Sequence, residues 1–227
     1  INKSNISYIK SRYPQGKRDL YSCFILRCYQ LSRRNGKIGM VTQQSWMFLK
    51  SFSNLRTSDF LDKPNKNLGE NDFKGLLNDT NIETLVHLGS HSFSEVSGEI
   101  VNSVLFTFSK CLSIKGHQIT ISRLIGTKSP HEKAQLLKIS ANNNYQNGIY
   151  HIEQNIFLSI PGAPIIYWLN PYFLKLFSHD FTIGTISQVL RGLDSGDTNR
   201  FSRYTWEEFD RARWKLYSRG GGYKKSH

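Results

Sequence analysis

Two short polar segments, each following an apolar run, have the composition of ligand-binding loops. The first is Gln43-Gln-Ser-Trp46 and the second runs from Gly89 to Gly98. In an open α/β sheet, ligands bind beyond the carboxyl ends of the strands, where such loops lie. Trp46 offers an aromatic face, although it could equally pack in the core against the following helix. Gly98 permits a close approach between backbone and ligand, or is an ordinary loop glycine.

A third candidate site is a polar, glycine-rich segment near the end of the chain. It begins with Arg191-Gly-Leu-Asp-Ser-Gly-Asp and continues through Arg200 to Arg203. The backbone amides of such a loop, together with guanidinium groups, can bind phosphate. The three arginines are not spaced for i,i+4 ion pairs with carboxylates on a helix, so an external anion is the expected partner. A surface turn with solvated charges is the alternative.

The charge of the whole chain favours an anionic partner as well. Its formal net charge is +13 and its pI is about 9.7. Basic residues are interleaved with aromatic residues and do not form a single amphipathic stripe, which favours nucleic acid over a membrane surface. No segment is apolar over the length that spans a bilayer. A basic surface that binds nothing acidic remains the alternative.

Other reaction classes find little support in the sequence. Cys23, Cys28 and Cys111 match neither a metal-binding spacing nor an even disulfide framework, so a reducing cytoplasm is expected. The seven histidines are scattered without metal-ligand spacing, and no metal is predicted. The sequence has no Gly-x-Ser-x-Gly elbow, which argues against a hydrolase.

The segments before the two loops have the patterns of an α/β fold. Asp19 is a good N-cap, and it precedes a predicted helix whose apolar stripe consists of Leu20, Phe24, Cys28 and Leu31, widened by Tyr21 and Ile25. Residues 37–42 are short and apolar without alternation, as expected of a strand buried on both faces of a parallel sheet.

Further strands are predicted at residues 82–88 and 100–108. The second follows the first too closely for a crossover helix, so the two are expected to be antiparallel. The other predicted elements are a helix at 51–61, a polar loop at 62–81, an edge strand at 114–124 and a helix at 130–139.

Several of these segments together resemble one enzyme family. The run from Asp19 to Trp46, and Gly98-Glu99 with the strand that follows, are similar to segments of adenine-specific DNA methyltransferases of the PglX type and their type IIG restriction–modification relatives. The C-terminal run from Arg191 to Lys225 resembles elements that follow the catalytic domain in PglX-type enzymes. The catalytic Asn/Asp-Pro-Pro-aromatic tetrad of that family does not occur in these residues and is expected upstream of Ile1.

The resemblance implies a fold class and a division of the chain. The implied fold is α/β, the C-terminal half of a class-I (Rossmann-like) methyltransferase sheet, followed by an α+β start of a DNA-recognition region. Residues 1–112 would be the C-terminal part of the methyltransferase catalytic domain. Residues 113–227 would be a linker and the beginning of a target-recognition region.

The resemblance also implies roles for individual residues. The first loop would help to wall the pocket of the target base, and Phe93 is the nearest aromatic residue that could stack on a flipped adenine. Gln43 stands where the family has proline, and Val96 stands where better-studied relatives have the stacking aromatic. The implied substrate-pocket residues are Trp46, Phe93, Gly98 and Glu99. The implied DNA-binding residues are Arg191, Asn199, Arg200, Arg203, Lys224 and Lys225.

The implied activity is transfer of a methyl group from S-adenosylmethionine to the exocyclic amine of adenine, in phage defence or restriction–modification. No catalytic residue is expected in this chain, which alone should be inactive, and the cofactor would be bound mainly by the upstream half of the same enzyme. The expected partners are double-stranded DNA, that upstream half and other subunits of a defence system. The alternatives are a non-catalytic basic DNA-binding module and an assembly subunit.

Overall fold

The computed structural model describes residues 3–58, 73–94, 101–142, 148–177, 183–188, 196–207, 210 and 212–216. The chain separates into unit 1, residues 1–180, and unit 2, residues 181–227. The sheet lies in unit 1 and extends past residue 112. The boundary expected there divides a catalytic from a recognition region, and it stays a prediction.

Helices and strands are interleaved along the chain. The helices of unit 1 are α1 (Lys3–Arg12), α2 (Leu20–Leu31), α3 (Ser53–Arg56), α4 (Leu76–Asp79), α5 (Pro130–Ala141) and α6 (Pro171–Leu176). The strands are β1 (Lys37–Gln43), β2 (Asn81–Gly89), β3 (Ser103–Ser109), β4 (Gln118–Arg123) and β5 (Ile149–Glu153). Short 3₁₀ turns cover Gln44–Met47, Lys50–Phe52 and Gln154–Ser159. Unit 2 contributes α7 (Ile183–Ile186) and α8 (Thr198–Phe201).

The strands of the described residues form one mixed sheet in the order β1-β3-β2-β4-β5. β3 is antiparallel to both β1 and β2, so β1 and β2 run parallel to each other. β4 is parallel to β2, and β5 is antiparallel to β4. The carboxyl ends of β1, β2 and β4 therefore point to the same edge of the sheet. The predicted α/β class and the antiparallel pairing of the strands near 82–88 and 100–108 are confirmed.

β1 contradicts the prediction of a strand buried on both faces. Ile38 and Thr42 are buried, whereas Val41 and Gln43 are exposed, and β3 is its only neighbour among the described residues. One face of the strand packs on the core, and the other is open. The prediction was wrong because Gly39 and Val41 lie on the open face. Without polar residues at these two positions, the sequence lacks the alternation that normally marks a strand with one exposed face.

α2 forms where it was predicted but buries only the Ile25 side of its predicted apolar stripe. The stripe residues Leu20, Phe24 and Leu31 are exposed, and Ile25 packs in the core. Ser22 is also fully buried, and its hydroxyl donates to the Gly16 carbonyl at 2.6 Å. A hydroxyl whose hydrogen bond is satisfied can lie on the buried face, which the polarity of serine concealed in the sequence.

The remaining predicted elements are confirmed in part. β4 and α5 form within the predicted ranges or extend them slightly. The predicted edge position of β4 is wrong, because β4 lies between β2 and β5 in the sheet. The helix expected at 51–61 is limited to α3, and residues 59–72 lie outside the described part. The described end of the predicted polar loop contains α4, which begins after Gly75. No helix in the described residues is long and apolar enough to cross a membrane.

A single core cluster joins the sheet to the segments that follow β1 and β5. Its largest fully buried aromatic side chains are Trp46, Phe106, Phe108, Phe157 and Tyr167. Buried Gln154 satisfies backbone groups next to β2: its amide donates to the Leu77 and Thr80 carbonyls, and its oxygen accepts from Ile82 N. These bonds connect the end of β5 with the start of β2.

Candidate functional site

The carboxyl ends of β1 and β2 meet around a buried histidine. His87, near the end of β2, is 2% exposed. Its Nδ1 lies 2.6 Å from the Tyr167 hydroxyl, and its Nε2 lies 2.5 Å from Gln44 Oε1. Gln44 begins the turn after β1, and Tyr167 precedes α6. One imidazole thus joins three segments that are distant in the sequence.

The hydrogen bonds determine the tautomer of His87. The side-chain oxygen of Gln44 can only accept a hydrogen bond, so His87 Nε2 carries the proton and donates it. Nδ1 is then an acceptor, and the Tyr167 hydroxyl donates to it. This neutral form uses both ring nitrogens. It leaves the amide –NH₂ group of Gln44 without a hydrogen-bond partner among the described residues.

The surroundings keep His87 neutral. Burial, followed by the positive charges of Arg123 and Lys133, lowers the pKa of His87 from 6.5 to about 4. Burial raises the pKa of Tyr167 above its ordinary value, so the phenol retains the proton that it donates. The Gln44–His87–Tyr167 triad is therefore uncharged at pH 7.

Aromatic rings enclose the triad. The centroid of the Phe48 ring lies 5.7 Å from that of His87 and 5.3 Å from that of Trp168. Trp168 is 37% exposed, and the Arg123 guanidinium lies 5.8 Å from the centroid of its ring. This edge of the sheet thus presents an indole and a guanidinium beside a buried, neutral imidazole.

A buried arginine fixes the loop that follows β1. Arg56 is 1% exposed, and burial lowers the pKa of its guanidinium to about 10, so it remains charged at neutral pH. It donates to the carbonyls of Trp46 at 2.6 Å and Leu49 at 2.9 Å, and to those of Gly162 and Ala163. Four backbone carbonyls, and no carboxylate among the described residues, accept hydrogen bonds from this guanidinium. Arg56 thereby joins the loop after β1 to the turn at Gly162.

A buried lysine attaches α5 to the same edge of the sheet. Lys133 is 2% exposed and donates from Nζ to the Leu88 carbonyl at 2.5 Å and the Leu124 carbonyl at 2.8 Å. Burial lowers the pKa of this amine. Because the two carbonyls lie at the ends of β2 and β4, Lys133 ties neighbouring parallel strands together next to His87.

The predicted substrate-pocket residues differ in their placement. Trp46 is fully buried, and its indole Nε1 donates to Thr42 Oγ1 at 3.1 Å. The core interpretation that the sequence left open describes this side chain, which could support a pocket wall only from behind. Phe93 follows β2 and is 49% exposed. Gly98 and Glu99 lie outside the described residues.

Unit 2 has an open cleft of about 320 Å³ in which basic and aromatic side chains alternate. The lining residues are Arg200, Phe201, Arg203, Arg213 and Trp214. Arg203 Nη1 donates to the carbonyls of Asn199 at 3.0 Å and Ser202 at 2.8 Å, which fixes its guanidinium. The Arg200 guanidinium lies 5.2 Å from the centroid of the Phe201 ring. Within the described part of the chain, none of the three arginines forms an ion pair.

Carboxylates of unit 2 bind backbone amides. Asp197 Oδ1 accepts from the Arg200 backbone nitrogen at 3.1 Å, and Glu207 accepts from that of Tyr204 at 2.8 Å. These carboxylates form caps and turns and do not pair with the guanidinium groups. The cleft therefore keeps its positive charge available to an anion.

The structure brings together Arg200 and Arg203 of the predicted DNA-binding set, with Asn199 beside them. Arg191, Lys224 and Lys225 lie outside the described residues. A search of the described residues finds no group of three His, Cys, Asp or Glu side chains that could hold a metal ion.

Sequence reasoning missed the triad, Arg56 and Lys133. The available signal for His87 was a lone histidine in an otherwise apolar strand, since a polar group there needs hydrogen-bond partners. Its partners Gln44 and Tyr167 are too distant in the sequence to be paired with it. Arg56 lies outside the apolar stripe of the helix predicted at 51–61, and its burial depends on carbonyls that no sequence pattern reveals.

Known proteins match this chain along nearly its whole length. Residues 1–68 match the family model of the Eco57I restriction-modification methylase. The adenine-specific methyltransferase PglX of Lacticaseibacillus casei (strain Zhang) is 28% identical over 239 residues, which cover 98% of this chain and 18% of PglX. The adenine-specific methyltransferase BrxX of Escherichia coli O9:H4 (strain HS) is 29% identical over 229 residues, covering 96% of this chain and 17% of BrxX. The chain thus spans less than a fifth of these curated relatives.

Solved structures of restriction–modification proteins overlap with part of the chain. The type IIG restriction endonuclease BpuSI superposes with a TM-score of 0.43 at 10% identity, over 73% of this chain and 19% of that protein chain. A chain of a type I restriction–modification system superposes with a TM-score of 0.37 at 16% identity, over 59% of this chain and 28% of the other.

The sequence matches confirm the resemblance. Both curated relatives are adenine-specific methyltransferases, and each alignment covers more than nine-tenths of this chain. The family model independently matches the segment that holds α1, α2, β1 and the loop after β1. Residues 1–68 are thus similar to the Eco57I restriction-modification methylase family, and nearly the whole chain is similar to a short part of adenine-specific methyltransferases of the PglX and BrxX kind.

Proposed function

We propose that this chain is part of an S-adenosylmethionine-dependent DNA adenine methyltransferase that acts in phage defence or restriction–modification. Its contribution is a wall of the target-base pocket together with contacts to DNA. The observation that carries this proposal is the alignment of nearly the whole chain with two adenine-specific methyltransferases. Because the chain spans less than a fifth of their length, methyl transfer is assigned to the larger enzyme.

The geometry of the carboxyl edge supports the pocket role. Arg56 and His87 hold the loop that begins at Gln44 through hydrogen bonds to its backbone and its side chain. An enzyme that modifies adenine in duplex DNA extrudes the base into a pocket of aromatic and polar groups, and a rigid wall favours one bound geometry. The assigned pocket residues are Trp46, Phe93, Gly98 and Glu99.

The cleft of unit 2 supports the DNA-binding role. Its arginines have no carboxylate partner among the described residues, and its two aromatic rings offer surfaces on which sugars or bases can pack. Phosphate contacts of this type position a protein on DNA without selecting a sequence. The assigned DNA-binding residues are Arg191, Asn199, Arg200, Arg203, Lys224 and Lys225.

The finer fold assignment is also part of the proposal. β1, β2 and β3 would be the C-terminal half of a class-I methyltransferase sheet, which the position of β3 between two mutually parallel strands supports. The start of the DNA-recognition region would follow at about residue 113. The remaining strands of that sheet would come from the upstream part of the larger enzyme.

We propose that S-adenosylmethionine is bound mainly by residues outside this chain. The polar groups at the carboxyl edge are neutral, as in Gln44 and His87, or cationic, as in Arg123 and Lys133. Ribose hydroxyls are commonly bound by a carboxylate, and the cofactor itself carries a sulfonium cation. We assign the cofactor to residues outside this chain.

A second candidate function is a basic DNA-binding module that takes no part in methyl transfer. The observation that favours it is the location of the arginine cleft, which lies in a compact unit separate from the sheet. In this case, unit 2 would bind DNA whether or not the sheet has a catalytic partner.

Methyl transfer by the full natural polypeptide that contains these residues distinguishes the two functions. The assay measures tritium transfer from S-adenosylmethionine to genomic DNA of a methylation-deficient bacterial host, with mass spectrometry of the modified nucleoside. N6-methyladenine is the expected product. DNA binding without any methylated adenine would favour the DNA-binding module.

A further inference from the structure

Only one end of the Gln44 side chain is engaged by the described residues. Its oxygen accepts from His87 Nε2, and its backbone nitrogen donates to the Asn102 carbonyl at 2.9 Å. The –NH₂ end has no partner among the described residues, and the side chain is half-buried. A glutamine held in this way is a hydrogen-bond donor whose direction is fixed.

His87 and Tyr167 form a consistent set of hydrogen bonds with that direction. With the Gln44 oxygen facing Nε2, the imidazole carries its proton there, and the Tyr167 hydroxyl donates to Nδ1. A flipped amide would set –NH₂ against N–H, which is repulsive. The tyrosine thus supports this orientation of the amide through the histidine tautomer.

The charged and titratable groups around His87 preserve this arrangement. Arg123 on β4 and Lys133 on α5 both disfavour a second proton on the imidazole. Tyr150 on β5 packs against the ring of Tyr167, with centroids 5.1 Å apart, and Phe48 and Trp168 contribute only rings. Among the described residues, the charges that act on His87 are both positive.

We propose that the Gln44 amide is a specificity-determining hydrogen-bond donor to an acceptor atom of the target nucleotide, and that Tyr167 and His87 are its positioning residues. The inference rests on the proposed function, since the nucleotide would occupy the pocket at the carboxyl edge. A ring nitrogen of the extruded adenine and a phosphate oxygen next to it are the acceptor chemistries that an amide –NH₂ fits. A site built around such a donor selects against ligands without the matching acceptor.

Methylation kinetics of the full natural polypeptide test the proposal, with genomic DNA of a methylation-deficient host as substrate. Gln44→Met removes the donor, and kcat/KM is expected to fall roughly five- to tenfold, the effect of one neutral hydrogen bond. Gln44→Glu keeps an acceptor for His87 and lacks the donor, so it is expected to lose at least as much. The matched control is Gln118→Met, an exposed glutamine at the opposite end of β4, which is expected to match the wild type.

A double-mutant cycle tests the positioning role. Tyr167→Phe alone should lower kcat/KM, whereas adding it to Gln44→Met should cause no further loss, because Tyr167 acts through Gln44. Additive losses would mean that Tyr167 is only structural and would overturn its assignment. Thermal unfolding midpoints near that of the wild type verify that each variant is folded.

The outcomes separate this inference from the proposed function. If the wild type methylates adenine and both Gln44 variants retain its kcat/KM, the inference is wrong and the proposed function stands. If Gln44→Met fails to fold, Gln44→Glu, which preserves the bond to His87, decides the matter. A wild-type polypeptide that methylates no adenine would overturn the proposed function and this inference together.

Discussion

Acidification should destabilise unit 1 through His87. The histidine has a pKa of 6.5 when unfolded and about 4 when folded, so between these values the unfolded chain binds the additional proton. The stabilising contribution is therefore complete above pH 6.5 and is lost as the pH falls towards 4. At 1.36 kcal/mol for each pKa unit, the loss between pH 7 and pH 5 is about 2 kcal/mol, and it approaches about 3 kcal/mol below pH 4.

Urea unfolding of the 227-residue chain at pH 7 and pH 5 measures this loss. The His87→Gln variant should lose about 2 kcal/mol less than the wild type over the same interval, because it lacks the titrating group. The matched control is His151→Gln, which removes an exposed histidine of β5 and should keep the dependence of the wild type. An equal pH dependence for the wild type and His87→Gln would refute the assignment of a buried, neutral imidazole.

Four further predictions concern single side chains. Arg56→Met removes the donor of four carbonyl hydrogen bonds, of which those to Trp46 and Ala163 are buried, and should lower the free energy of unfolding by roughly 3 kcal/mol in urea titrations. An effect below about 1 kcal/mol would contradict the role of Arg56 in fixing the loop after β1. Lys133→Met should lower the free energy of unfolding by roughly 2 kcal/mol in the same assay, because the Leu88 and Leu124 carbonyls lose their donor. A stability equal to that of the wild type would contradict the role of Lys133 in joining the ends of β2 and β4. The Gly75→Ala variant should be destabilised by roughly 3 kcal/mol, because φ of Gly75 is +111° and the added Cβ would lie 2.5 Å from the Arg56 carbonyl oxygen. A folded variant with an unchanged urea midpoint would contradict this backbone conformation. For the full natural polypeptide, Arg200→Ala should reduce the slope of log DNA affinity against log salt concentration by about one unit on all sequences. The control is Lys115→Ala, which removes an exposed cation of unit 1. An unchanged slope and affinity for Arg200→Ala would mean that the cleft is a solvated surface.

The sequence predicted the elements with strong local patterns. α2, β2, β3, β4 and α5 were expected near their observed bounds because apolar spacing and turn residues define them locally. The open position of β1 was not predictable, since an apolar run has the same pattern whether the second face is covered or free. The buried face of α2 was misassigned because Ser22 is satisfied by a carbonyl of another segment.

The sequence placed the candidate site at the ends of two strands, and its role and its residues stay predictions. The two loops were expected at strand ends, and β1 and β2 do place them at one edge. The exposure of Phe93 fits a rim position, whereas the burial of Trp46 does not fit direct contact with a ligand. His87, Arg56 and Lys133 depend on partners 7 to 107 residues away, and a sequence pattern does not specify such pairings.

The most direct measurement is a structure of the full natural polypeptide bound to DNA and a non-reactive analogue of S-adenosylmethionine, determined by electron cryomicroscopy. The proposed function predicts an extruded adenine at the carboxyl edge of β1 and β2, with an acceptor of that nucleotide at about 3 Å from the Gln44 amide nitrogen. It also predicts DNA phosphates in the cleft of Arg200 and Arg203. A target adenine bound elsewhere, with this edge facing solvent, would contradict the account.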